Sequence, residues 1–199
     1  MSQLLEMVSQ QLGGQNLTTL SRQIGADEQA TQNAISMALP LLLGGLAKNS
    51  AQPQGAAALD RALTNHDGGL LDNLGAMLGS GGLGTAGAGI LGHILGQRRA
   101  PVEQGISKAS GLQPQQVGRL LMLLAPIVMA ALSRMKQQNN VSGTELGDVL
   151  QREKADVATK NPGAGGLLGM LDSDNDGSIA DDLARMAPGM LGGLFGGRK

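Results

Sequence analysis

Cysteine is absent from this chain, which excludes disulfides and thiolate chemistry and leaves the redox compartment open. Tyrosine and tryptophan are absent too, and Phe195 is the only phenylalanine, so aromatic bulk cannot build the core. Charge is scarce and balanced. There are 15 Lys and Arg against 16 Asp and Glu, a net charge of −1, and charged residues make up 16% of the chain against roughly a quarter in ordinary domains. That balance argues against a nucleic-acid binder driven by phosphate neutralisation. Residues 1–15 contain Glu6 and lack both a basic start and a long apolar run, so no secretory signal is read there. The longest uncharged apolar run, residues 120–132, falls short of the roughly 20 residues a membrane span needs and contains Pro126. It reads as a buried core helix. The default location is then cytoplasmic, with non-classical export left open.

What the chain does have is glycine, 32 of 199 residues, with 41% hydrophobic residues and ten methionines. So much Leu, Ala and Met with so little charge does not fit a highly charged disordered chain. Self-comparison shows a tandem repeat. At an offset of 86, Leu20 meets Ile106, Ser21 meets Ser107, Arg22 meets Lys108, Gly25 meets Gly111 and Pro40 meets Pro126. ALDRAL at 58–63 then meets ELGDVL at 145–150, GGLL at 68–71 meets GGLL at 165–168, and GILGHILGQRR at 89–99 meets GMLGGLFGGRK at 189–199. The two copies are expected at 1–99 and 100–199.

Each copy opens with a short helix, about 17–24 and 103–110, that stops at Gly25 or Gly111, because glycine takes a positive φ without strain. A longer helix follows. Asp27 and Glu28 mark its first turn in one copy and Pro114 in the other. Val117, Leu120, Leu121, Leu124, Ile127, Val128, Ala131 and Leu132 recur with a helical period, as do Ile35, Leu39, Leu42, Leu43 and Leu46. Pro40 and Pro126 fall inside these helices and are expected to kink or split them. Ser142 and Glu145 have capping-box spacing before a helix that buries Leu146, Val149 and Leu150. No segment alternates with period two, so the fold class is all-α. Residues 66–96 and 163–197 hold most of the glycine. The pairs Gly75/Gly79, Gly92/Gly96, Gly165/Gly169 and Gly192/Gly196 put smooth grooves on helix faces, suited to close helix packing or to self-association.

Residues 172–183, DSDNDGSIADDL, carry the chemistry. Asp172, Asp174 and Asp176 take positions 1, 3 and 5 of an EF-hand-type loop, Gly177 allows the turn, and Ser178 offers its backbone carbonyl. Hard oxygen ligands in that order suit Ca²⁺. Position 12 is Leu183 where an EF-hand has glutamate, so Asp181 or Asp182 must close the site, as in short dockerin-like loops. The alternative is an acidic, solvated turn. Five carboxylates within this stretch, with no Lys or Arg among them, repel one another unless screened or metallated. The two histidines, His66 and His93, lack ligand spacing, and no nucleophile elbow, P-loop, dinucleotide fingerprint or zinc pattern is present. An enzyme is not expected.

The run GILGHILGQRRAPVEQGISKASGLQPQQVGRLLMLLAPIVMAALSR resembles a bacterial family known as domain of unknown function 937. That family shows the GILGHxxG-basic segment, the Ser-x-x-Ser-Gly-Leu turn and the LLxxLAPxVM helix. It often carries a DxDxDGSxxDD loop, matched here by Asp172, Asp174, Asp176, Gly177, Ser178, Asp181 and Asp182. More distantly, residues 20–46 are similar to the helical repeat of YidB-like proteins. The resemblance implies an α-helical fold and a bacterial source, and no activity. The expectation is a self-associating, non-enzymatic homo-oligomer with a calcium loop and an assembly or scaffold role. The alternatives are an adaptor that grips a protein partner through Gly/Leu grooves, or a peripheral membrane protein using residues 186–197 with Arg198 and Lys199 at the headgroups.

Overall fold

The computed structural model describes residues 3–65, 69–142 and 145–160. The expected acidic loop at 172–183, the glycine pairs beyond residue 160, and His66 lie outside the described residues. Ten α-helices follow one another, and no strand occurs among the described residues. They are α1 (Gln3–Gln11), α2 (Gln15–Ile24), α3 (Glu28–Asn49), α4 (Pro53–Asn65), α5 (Gly69–Asp72), α6 (Leu74–Gly79), α7 (Leu83–Leu95), α8 (Arg99–Ser110), α9 (Pro114–Gln138) and α10 (Leu146–Lys160). A single 3₁₀ turn, Gly96–Arg98, joins α7 to α8.

Local chemistry sets the boundaries. α2 stops at Gly25, whose φ of 69° is left-handed. The Gly25 N–H donates to the Arg22 carbonyl and the Ala26 N–H to the Ser21 carbonyl, the paired bonds of a Schellman end. α8 stops at Gly111 (φ 78°), which donates to the Ser107 carbonyl. Asp27 caps α3, accepting from the N–H groups of Gln29 and Ala30 at 2.8 and 3.1 Å. Pro114 begins α9, where its missing N–H costs nothing. Ser142 and Glu145 close as the spacing predicts: Glu145 Oε2 accepts from the Ser142 N–H at 3.0 Å and from its hydroxyl at 2.8 Å.

α9 is the axle. Between Val117 and Met135 only Arg119, Met122 and Arg134 escape burial, and α1, α2, α3, α4, α5, α7 and α8 all pack on it. A helix apolar on every side belongs in a core. α3 and α9 are each long and apolar enough to cross a membrane by length and composition, but most of each apolar window is covered by the helices around it. The 13-residue apolar run thus sits inside a 25-residue helix, because Arg119 and Arg134 at its ends do not interrupt the helical backbone. Nor does either proline split its helix; α3 continues past Pro40 and α9 past Pro126.

The two halves of the chain cross over. α10 lies on α3, where the Gln151 amide donates to the Ala47 carbonyl at 3.1 Å. α4 lies on α9, where the Ser133 hydroxyl donates to the Leu63 carbonyl at 3.3 Å and Lys136 pairs with Asp60. α8 packs on α3, and α9 on α2. The Gln116 amide of α9 donates to the Gly25 carbonyl at 2.5 Å. Finally, Glu153 of α10 accepts the Leu4 N–H of α1 at 3.1 Å, joining the first and last helices among the described residues.

Candidate binding cleft and helix face

α7 carries the glycine-rich, histidine-bearing segment, and its two faces differ. Leu83, Gly87, Leu91, Ile94 and Leu95 are buried against α3 and α9. Two glycines set how closely the helices meet. A Cβ on Gly87 would sit 1.7 Å from the Met122 carbonyl oxygen, and one on Gly45 of α3 would sit 2.8 Å from Ile94 Cγ2. The Met122 contact has a covalent cause. Met122 is four residues before Pro126, which has no N–H to return, so its carbonyl lacks its helical donor. The Gly87 backbone covers that oxygen, a close approach that suits a weak Cα–H···O contact. Pro126 and Gly87 are therefore two halves of one joint.

The outward face of α7 is bare. Thr85, Ala86, Ala88, Gly89, Gly92 and His93 are exposed, and a Cβ added to Gly89 or Gly92 would meet nothing within 4 Å. The spacing of Gly92 and Gly96 predicts one continuous groove. Only Gly92 lies in the helix, since Gly96 takes a positive φ of 52° and opens the 3₁₀ turn. Gly75, in α6, faces the Asn16 carboxamide rather than open space.

Beside α7 lies an apolar cleft of about 430 Å³, bounded by Leu46 and Asn49 of α3, Ala58, Leu59 and Ala62 of α4, Ile90 and Ile94 of α7, and Met129 of α9. Asn49 and His93 are its polar lining side chains. The Asn49 amide donates to the His93 and Ile94 carbonyls at 2.6 and 3.2 Å, tying the last turn of α7 to the end of α3. The His93 imidazole stands exposed at the rim. This arrangement can receive apolar matter. Among the described residues no group of three or more His, Asp or Glu is placed to hold a metal.

The sequence singles out His93 and Gly92, and the structure brings them onto the same outward face. It does not single out Asn49, Gly45, Leu59 or Met129, which meet only through the tertiary fold. Asp172, Asp174, Asp176, Ser178, Asp181 and Asp182 lie outside the described residues.

With this geometry in view, the family model described as bacterial protein of unknown function (DUF937) matches residues 6–135. The chain belongs to that family. The matched residues take in α7, the cleft and the whole length of α9 up to Met135, and they run across the expected copy boundary at 99/100. The acidic loop falls beyond them. No curated protein and no solved structure matches the chain significantly.

Proposed function

We propose that this family member is a non-enzymatic helical assembly protein that self-associates through the outward face of α7 and binds Ca²⁺ in its acidic loop. The observation that carries the first part is the bare groove at Gly89 and Gly92, where added Cβ atoms would meet open space. A helix face without side-chain bulk lets a second backbone approach closely. The calcium part rests on residue chemistry alone: Asp172, Asp174 and Asp176 in alternation before Gly177, with Ser178 and Asp181 or Asp182 completing an oxygen shell.

The tandem repeat enters the same reading. Its support is the reciprocal crossing of the halves, in which α10 rests on α3 as α4 rests on α9, and α8 meets α3 as α2 meets α9. Two similar halves, each with a glycine-rich apolar segment, give a chain two ends able to meet other copies. Head-to-tail contacts of that kind close into rings or run on as filaments.

Sedimentation at tens of micromolar protein, with and without Ca²⁺, tests the assembly. Species well above the 20.2 kDa chain mass are expected. A single species at that mass in both conditions would refute assembly and favour the adaptor reading, in which a different protein takes the α7 face. Calorimetry tests the loop. Binding is expected at about micromolar to millimolar affinity, given Leu183 in place of the closing glutamate. Asp172→Ala and Asp176→Ala should each abolish it, and a folded, metal-free wild type that gives no calcium heat would remove the site.

A further inference from the structure

We propose that the cleft between α3, α4 and α7 is the seat of the chain's own C-terminal segment, residues 189–196, with Leu191, Leu194 and Phe195 as the side chains that enter it. The cleft states what it will accept. Leu46, Leu59, Ala62, Ile90, Ile94 and Met129 make its walls, and its volume of about 430 Å³ lies within the range of formed binding sites. The nearest amide, that of Asn49, is already engaged with the His93 and Ile94 carbonyls, so it does not orient a polar ligand. The one other polar side chain in the lining, His93, stands exposed at the rim, so the body of an occupant is apolar side-chain matter.

The chain carries a segment that fits this requirement. GILGHILG at 89–96 and GMLGGLFG at 189–196 share one pattern, and α7 shows how that pattern is used. Leu91, Ile94 and Leu95 are the positions it buries. The corresponding residues are Leu191, Leu194 and Phe195. Where α7 keeps a polar His93 outward, the second segment has Gly193, so it has more need of cover than α7 itself. Phe195 alone offers about 150–250 Å² of surface to bury.

Reach and concentration favour the same chain over a second copy. α10 starts against the C-terminal end of α3, where a Cβ on Gly147 would sit 2.7 Å from the Ser50 carbonyl. Leu46 and Asn49 of the cleft belong to that same end. The 15 residues of α10 carry the chain about 22 Å away. Residues 161–188 can return up to about 90 Å. A segment so tethered acts at an effective concentration of up to about millimolar, above that of free copies at micromolar protein.

The absence of cysteine makes the test clean. Ala58→Cys places one thiol on the exposed edge of the cleft, and Leu194→Cys places the other on the segment. A control pairs Leu194→Cys with Gln32→Cys, an exposed position about 21 Å along α3 from Leu46. Under mild oxidation the cleft pair is expected to form a disulfide within one chain, seen as a faster-migrating monomer on a non-reducing gel, while the control pair does not. Adding Phe195→Asp should slow that closure about tenfold or more, and Phe195→Leu should leave it largely intact. Circular dichroism confirms that each variant keeps its helices. Disulfide-linked dimers would assign the cleft to a second copy, and no closure, or equal closure in the control, would mean that the segment does not dock there; each result overturns the proposal. A segment held in its own chain's cleft is withdrawn from head-to-tail contacts, which leaves the outward face of α7 to carry assembly; the readout is a bond inside one chain, so it is distinguishable from the sedimentation result.

Discussion

At the scale of single residues, the glycines of α7 separate into two kinds. Gly87 lies against backbone. Alanine there would drive its Cβ toward the Met122 carbonyl oxygen, and neither helix can turn away without losing the contact. Gly92 faces open space in a regular helix. Gly87→Ala is therefore expected to lower stability by about 1–3 kcal/mol, the usual cost of overpacking, or more. Gly92→Ala, assayed dilute enough to keep chains apart, should raise stability by up to about 1 kcal/mol, because alanine is the better helix former. Urea denaturation of the two variants checks the opposite signs. The sequence does not make this division legible. In LGTAGAGILG the glycines look alike, and only the neighbour that Pro126 leaves with a spare carbonyl tells them apart.

At the scale of elements, the helix ends are the legible part. Gly25 and Gly111 stop their helices because the chain must turn left-handed there, and the Asp27 and Glu145 carboxylates supply the oxygens that the N–H groups of Gln29 and Ser142 donate to. Partner choice is not legible, because Gly45 and Ile94, or Ala47 and Gln151, meet only after distant helices have packed. The acidic loop, by contrast, is read wholly from residue types and spacing. The start of α10 carries a pH dependence. The Ser142 N–H, then its hydroxyl, and to a lesser degree Arg152 hold the Glu145 carboxyl below the ordinary glutamate value of about 4.3. Its contribution to the helix start is thus complete above that pH and is lost as pH falls through the lower folded value. Amide exchange along residues 146–156 should accelerate on acidification below about pH 4 relative to α9. Glu145→Ala should remove that difference by being faster throughout; an unchanged pH response in the variant would disconnect Glu145 from it.

At the scale of the molecule, the proposed assembly can be tested apart from the fold because α7 has one buried and one exposed face. Gly92→Leu fills the outward groove without touching Leu91, Ile94 or Leu95 in the core. It is expected to dissociate oligomers while leaving helical content unchanged, and sedimentation paired with circular dichroism checks both. A variant that stays assembled would move the contact elsewhere. The crossing of the halves has a further consequence in time. The Ala47 carbonyl waits for Gln151, which follows 104 residues later. At about 5–20 residues per second on the ribosome, the stretch of α3 that α10 will cover is finished some 5–20 s before its cover is made. For that interval the face of α3 that α10 will cover stands open on the nascent chain, an apolar surface that the finished fold conceals.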